Sequence, residues 1–245
     1  MHNVRLHSVV VFDGDDTLWR TMPLYTEAKA RFFALMARAF LHPEGIESEF
    51  EERDHRNVAK WGFTVERFRN SMVETYREHV LAVGISPELK REEEISRIAA
   101  SVARRRAPLV PYVRQALTRL SVSCRLVLLT KGEYELQRRR VMASGLEGLF
   151  EKVIIVDHKD VATFRQLAVE LKVKSDRVWS VGDSMRSDVK PALAAGLRAV
   201  WIPQQTWSYE EADSGSEHPP ETVLQPRSIR ELPNVLLPAL RKGKE

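Results

Sequence analysis

Four short stretches of this sequence gather residue types that can do chemistry. Asp13, Asp15 and Asp16 stand within four positions, so their mutual repulsion disfavours full ionisation unless a cation or a proton intervenes. Gly14 suits a tight bend among them, and Thr17 supplies a hydroxyl that can orient a nearby carboxylate. Asp183 and Asp188 repeat the theme behind Gly182; two carboxylates in one turn suit Mg²⁺, which takes oxygen ligands and keeps several of its waters. Between these acidic turns come Thr130-Lys131-Gly132, with a hydroxyl and an ammonium, and the lone Lys159. Taken singly, each stretch has a plainer alternative. The first is then a polar turn with an aspartate helix cap, Lys159 a surface lysine, and Asp183 and Asp188 a turn residue and a helix cap.

The elements in front of these groups argue for reading them together. Val9-Val10-Val11-Phe12 is a run of four apolar residues, three of them β-branched, and predicts a short strand buried on both faces. Leu126–Leu129, Val153–Val156 and Val178–Val181 predict further buried strands, and Ala199–Ile202 a fifth. Helical patterns over about Tyr112–Leu120, Tyr134–Ala143, from near Val161 with Asp160 as its cap, and over Val189–Ala195 alternate with them. Strands alternating with helices predict a doubly wound parallel sheet, whose C-terminal strand ends share one edge where ligands bind. Asp13 with Asp15, Thr130, Lys159, and Asp183 with Asp188 all follow such ends and therefore converge.

From Arg20 to Ala107 the pattern is helical throughout. Leu24, Ala28, Phe32, Leu35, Met36, Ala39 and Phe40 recur at helical spacing until Pro43 and Gly45. A second helix covers about Ser48–Lys60, and a third, capped by Thr64, turns Val65, Phe68, Met72, Tyr76 and Val80 to one face and stops before Gly84. A fourth opens at Ser86-Pro87, with Leu89, Ile95, Ile98 and Val102 inward, and ends on Arg104–Arg106, where cations suit the helix dipole. The predicted division is 1–19 with 108–245 for the sheet and 20–107 for a helical insertion. Past the fifth strand, Pro203–Pro220 reads as a long surface loop, Thr222–Leu224 as a short strand, and Ser228 to Glu231 as a capping box before a helix limited by Pro233 and Pro238. Trp201 and Trp207 read as packing residues.

Composition narrows the classes. At 245 residues and 43% hydrophobic the chain can bury a full core. With 38 basic against 34 acidic residues its surface is mixed, which is no nucleic-acid signature. Cys124 is the only cysteine, so no intrachain disulfide forms, and a reducing, cytoplasmic setting is expected. No apolar run approaches the ~18 residues of a membrane span, and the start of the chain lacks a signal-peptide core. The seven histidines show no zinc-ligand spacing, and no serine-hydrolase, dinucleotide or Walker motif occurs. Aspartate chemistry remains.

Asp13-Gly14-Asp15-Asp16-Thr17 resembles the DxDxT opening motif of the haloacid dehalogenase superfamily, most of whose members are aspartate-nucleophile phosphatases. Thr130 resembles the family's second motif, Lys159 its third, and the GDxxxxD pattern from Gly182 to Asp188 its fourth. Lys131 stands where asparagine is commoner, and Asp160 replaces the usual proline. The resemblance implies a Rossmann-like α/β core with a C1-type helical cap at 20–107. It also implies a Mg²⁺-dependent phosphatase acting on a small phosphorylated metabolite. Asp13 would be the nucleophile and Asp15 the general acid and base. Thr130, Lys131 and Lys159 would hold the phosphoryl group. Asp13, the backbone carbonyl of Asp15, and Asp183 would hold the metal, with Thr17 and Asp188 behind them. An acid at position 15 favours phosphatases over the family's dehalogenases and phosphonatases, which lack one there. A phosphomutase would share these residues, and a signalling receiver domain with Asp157 as phosphoacceptor is the alternative from another class. Neither nucleic acid nor membrane is an expected partner.

Overall fold

The computed structural model describes residues 8–39, 45–204 and 219–242. Five strands, β1 (Val9–Phe12), β2 (Arg125–Lys131), β3 (Lys152–Val156), β4 (Val178–Gly182) and β5 (Arg198–Trp201), form one parallel sheet in the order β3-β2-β1-β4-β5. Phe12 pairs with Leu128 on one side and Val181 on the other, so Asp13 leaves the sheet beside the ends of β2 and β4. The strand order reverses at β1, which is where an open parallel sheet leaves a crevice at its C-terminal edge. The central position of β1 explains its composition, since none of its four side chains is more than 1% exposed.

The chain divides into two compact units, Met1–Arg20 with Ala107–Glu245, and Thr21–Arg106. The second unit consists of α1 (Met22–Ala39), α2 (Ile46–Trp61), α3 (Val65–Ala82) and α4 (Leu89–Arg104). Its core is aromatic: the ring centroids of Phe32 and Phe50 lie 5.8 Å apart, and those of Phe50 and Phe68 6.0 Å. Thr64 caps α3 by accepting from Arg67 N. Leu89, expected inward, is 71% exposed; it opens the first turn of α4, and burial begins only at Ile95.

In the first unit α5 (Val113–Ser121) packs on β2, followed by α6 (Tyr134–Ser144), α7 (Val161–Glu170) and α8 (Lys190–Ala194), and α9 (Leu232–Lys242) packs on α5. Val9, Val11, Val127 and Leu129 bury one sheet face against Phe164 and Leu167 of α7 and Ala192 of α8. Truncating a core leucine such as Leu129 to alanine costs about 2–5 kcal/mol. β3 is half-buried, because it is an outer strand of the sheet. Thr222–Leu224 makes a single bridge to Val200, because Val223 N closes a turn onto Pro220 O and leaves one residue to pair. Pro233 and Pro238 do not curtail α9, which runs eleven residues. Pro233 falls in the first turn, where no N–H needs a partner, and buried Leu232, Leu236 and Leu240 hold the helix across Pro238. Phe40, Pro43, Trp207 and most of the loop after Pro203 lie outside the described residues.

Candidate active site

Asp13 is the first residue past β1, and its N–H donates to Val181 O at 2.9 Å, so the end of the sheet fixes its backbone. Its carboxylate accepts from Lys159 Nζ, which also donates to Asp188 Oδ1 at 2.7 Å. The Lys159 side chain is 2% exposed, placed just ahead of α7 by Asp160, which caps that helix by accepting from Thr163 N. The second Asp188 oxygen accepts from Ser184 N at 3.1 Å.

Asp188 sits inside a π-helical turn, Met185–Val189, and not at a helix cap; the cap is Ser184, which accepts from Ser187 N. The turn folds back over the end of β4 because Gly182 has no side chain. A Cβ there would fall on the Asp188 carboxyl group. Asp183 lies between: its Oδ1 accepts from Thr17 Oγ1 at 3.2 Å, and its carbonyl from Trp201 Nε1 at 2.7 Å. One oxygen from each of Asp13, Asp183 and Asp188 falls within 4.8 Å of the other two.

Charge follows from this packing. Burial is the largest influence on Asp13 and pushes its carboxyl up; Lys159 pulls it back, Asp188 pushes further, and the result is about 7. Burial alone would lower Lys159, but Asp13 and Asp188 outweigh it and hold its ammonium above the ordinary lysine value. Fully ionised, three carboxylates and one ammonium carry a net charge of −2, which a divalent cation would cancel. The oxygen donors fit Mg²⁺. Thr130, the sixth residue of β2, is 1% exposed, and its Oγ1 has no hydrogen-bond partner among the described residues. A buried hydroxyl left unmatched is costly, and at this edge it suits a ligand oxygen.

Asp15 and Lys131 make contacts of their own at this edge. Asp15 is absent from the acidic trio: its Oδ1 accepts from Trp19 Nε1 at 2.6 Å, and its Oδ2 from Gln137 Nε2 at 2.9 Å and Arg140 Nη1 at 2.6 Å. Lys131, expected against a phosphoryl group, donates to Ser187 Oγ at 2.6 Å, bracing the turn that carries Asp188. Gly14 permits the close approach of this loop, since a Cβ would lie 2.5 Å from Trp19 Cζ2. Trp19, Gln137, Arg140, Ser184 and Ser187 escaped the sequence reading. The polar run of α6 looks like a solvated helix face, and no apolar periodicity marks Gln137 and Arg140 as buried.

A parallel sheet whose strand ends assemble aspartates around a buried lysine defines a class of hydrolase, and similarity to known proteins agrees. The model of the haloacid dehalogenase-like hydrolases matches residues 7–196. The chain belongs to that family and is a hydrolase. It is 28% identical over 232 residues to a phosphoserine phosphatase from Thermus thermophilus, covering 79% of this chain and 88% of the relative. It is 25% identical over 232 residues to a glyceraldehyde 3-phosphate phosphatase from Methanopyrus kandleri, covering 90% and 94%. Among solved structures, a haloacid dehalogenase-like hydrolase from Xanthomonas campestris superposes with a TM-score of 0.79 at 24% identity, covering 97% and 98%. An L-2-haloacid dehalogenase from Xanthobacter autotrophicus does so at 0.60 and 17%, covering 94% and 98%. Both likenesses are of fold. Among the described residues no helix is long and apolar enough to cross a membrane.

Proposed function

We propose that this hydrolase is a Mg²⁺-dependent phosphatase that cleaves a small phosphorylated metabolite through an aspartyl phosphate on Asp13. One observation carries the reading: buried Lys159 lies between Asp13 and Asp188 at the strand edge that also presents Asp183 and the unpartnered Thr130 hydroxyl. The phosphatase names of two relatives support it. Those names differ in substrate, so the reading stops at the class. Asp15 argues against a dehalogenase, whose leaving halide takes no proton.

In this mechanism an Asp13 oxygen attacks phosphorus while the ester P–O bond breaks, and Asp15 gives its proton to the departing alcohol oxygen. Water then attacks the phosphorus of the aspartyl phosphate and passes a proton to Asp15; phosphate leaves and the Asp13 carboxylate is restored. Lys159 and the Thr130 hydroxyl donate to the phosphoryl oxygens, and Asp188 holds Lys159 in place. Asp13, Asp183 and the carbonyl of Asp15 would hold Mg²⁺, which supplies charge cancellation between carboxylate and phosphate. Residues 1–19 with 108–245 form the catalytic core, and 20–107 form a cap that selects substrate. A cytoplasmic setting accords with a single cysteine, Cys124, buried and pushed up to about 12.

The test is phosphate release from para-nitrophenyl phosphate and a panel of phosphorylated metabolites, with Mg²⁺ or EDTA, for wild type and Asp13→Asn. Turnover that needs both Mg²⁺ and Asp13 is the expected result. Release that persists in Asp13→Asn, or no release by wild type from any compound, overturns the reading.

A further inference from the structure

Among the described residues three donors reach the carboxylate of Asp15, and two of them come from α6. Gln137 and Arg140 stand three residues apart, hence on one face of that helix. They are 3% and 8% exposed. Burying an amide and a guanidinium costs free energy unless each is hydrogen-bonded, and both donate to the same oxygen, Asp15 Oδ2. The Asp15 side chain itself keeps 29% of its surface exposed, so it is gripped on one side and open on another.

The orientation of Gln137 is set by its surroundings. Its Nε2 lies 2.9 Å from Asp15 Oδ2 and 2.9 Å from the carbonyl of Lys131. Turning the amide over would face its oxygen to two other oxygens. Lys131 follows Thr130 directly, so one side chain ties the carboxylate of the first loop to the strand end that carries the open hydroxyl. Trp19, the third donor, belongs to the same loop as Asp15, whereas Gln137 of α6 links that carboxylate to the end of β2.

We propose that Gln137 and Arg140 are positioning residues for Asp15, fixing the direction from which its carboxyl group meets the leaving oxygen. The inference rests on the phosphatase reading above and deepens it. The consequence is specific to the leaving group. An alkoxide must receive a proton as the P–O bond breaks, whereas para-nitrophenolate leaves without one. Misplacing the proton donor therefore slows the first kind of ester and spares the second. Loss of packing around α6 would slow both alike.

The experiment compares benzyl phosphate with para-nitrophenyl phosphate for wild type, Arg140→Met, Gln137→Leu and Arg140→Lys, all with Mg²⁺. The quantity read is kcat/KM, which reports steps up to the first transfer and leaves out hydrolysis of the intermediate common to both esters. For Arg140→Met the benzyl value is expected to fall about 10²-fold, the effect of a misplaced catalytic group, while the para-nitrophenyl value stays within the same order of magnitude. Gln137→Leu should move in the same direction by less, and Arg140→Lys should recover part of the loss. The ratio of the two esters is taken on one preparation, so incomplete folding cancels from it. An unchanged ratio in Arg140→Met overturns the proposal. If wild type releases phosphate from no compound of the panel, the phosphatase reading falls by itself, and the contact between Arg140 and Asp15 is then tested by urea unfolding of Arg140→Met, Asp15→Asn and the double variant. Coupled losses support the contact as a unit, and additive losses overturn it.

Discussion

Lys159 and Asp13 set the electrostatics of the site, and their effect reaches stability. Because burial pushes Asp13 from its ordinary 3.8 up to about 7, the folded chain holds a proton that the unfolded chain has released across that interval. Stability from this group is therefore fully present below about pH 4 and is lost as pH rises to about 7. Urea unfolding in EDTA should find wild type less stable at pH 8 than at pH 5, and Asp13→Asn should lose less over the same span. Adding Mg²⁺ should stabilise wild type more at pH 8, where no proton competes for the carboxylate. A wild-type chain equally stable at both values, with Asp13→Asn unchanged, would mean that Lys159 already keeps Asp13 ionised at pH 5. At this scale the sequence was legible wherever chemistry is local. The spacing of Asp13, Asp15 and Thr17 exposes an acidic turn, and a hydroxyl within reach of a carboxylate needs no fold to be recognised. The two partners of Asp15 on α6 were illegible because they lie 122 and 125 positions away, on a helix whose polar residues look solvated until its packing is known.

Strands that end in charge are legible for a physical reason: a strand covered on both faces excludes charge until it leaves the sheet. This is why β1, β2 and β4 could be read from runs such as Val9–Phe12. Apolar runs do not reveal order in the sheet, so the half-buried outer position of β3 and the single bridge at Leu224 stayed hidden. The π-helical turn was equally hidden, since it depends on the one place where Gly182 lets the Asp188 carboxyl occupy space that any Cβ would fill. Gly182→Ala should therefore displace Asp188, take away one of the two carboxylates on Lys159, and lower kcat about 10²-fold, with the circular dichroism of the fold retained. Gly148→Ala is the control, because a Cβ there meets nothing within 4 Å and activity should be unchanged. Equal activity in the two variants would mean that Asp188 relaxes without cost to Lys159.

The whole molecule poses the question of why an insertion of four helices between β1 and β2 leaves the sheet intact. The chain returns to the point from which it departs. Arg20 N donates to Pro108 O at 2.8 Å, Val110 N donates to Leu18 O at 2.9 Å, and Trp19 bridges antiparallel to Leu109. Each unit also buries its own core, Val9, Val11, Val127 and Leu129 with Phe164 in one, Phe32, Phe50 and Phe68 in the other. A chain in which Arg20 is joined to Ala107 by a short Gly-Ser turn closes a shorter loop at lower entropic cost and keeps every contact named for the sheet. It is expected to unfold in one cooperative transition, with less helix by circular dichroism. If residues 20–107 select substrate, the shortened chain should still release phosphate from para-nitrophenyl phosphate with Mg²⁺ while losing the ranking of phosphorylated metabolites that wild type displays. A cooperative fold with the wild-type ranking preserved would place selection in the sheet unit, in the loops that carry Asp15, Lys131 and Lys159. Failure to fold would show that the sheet depends on the helices for more than the covalent connection, despite the closed hydrogen-bonded neck between Leu18 and Val110.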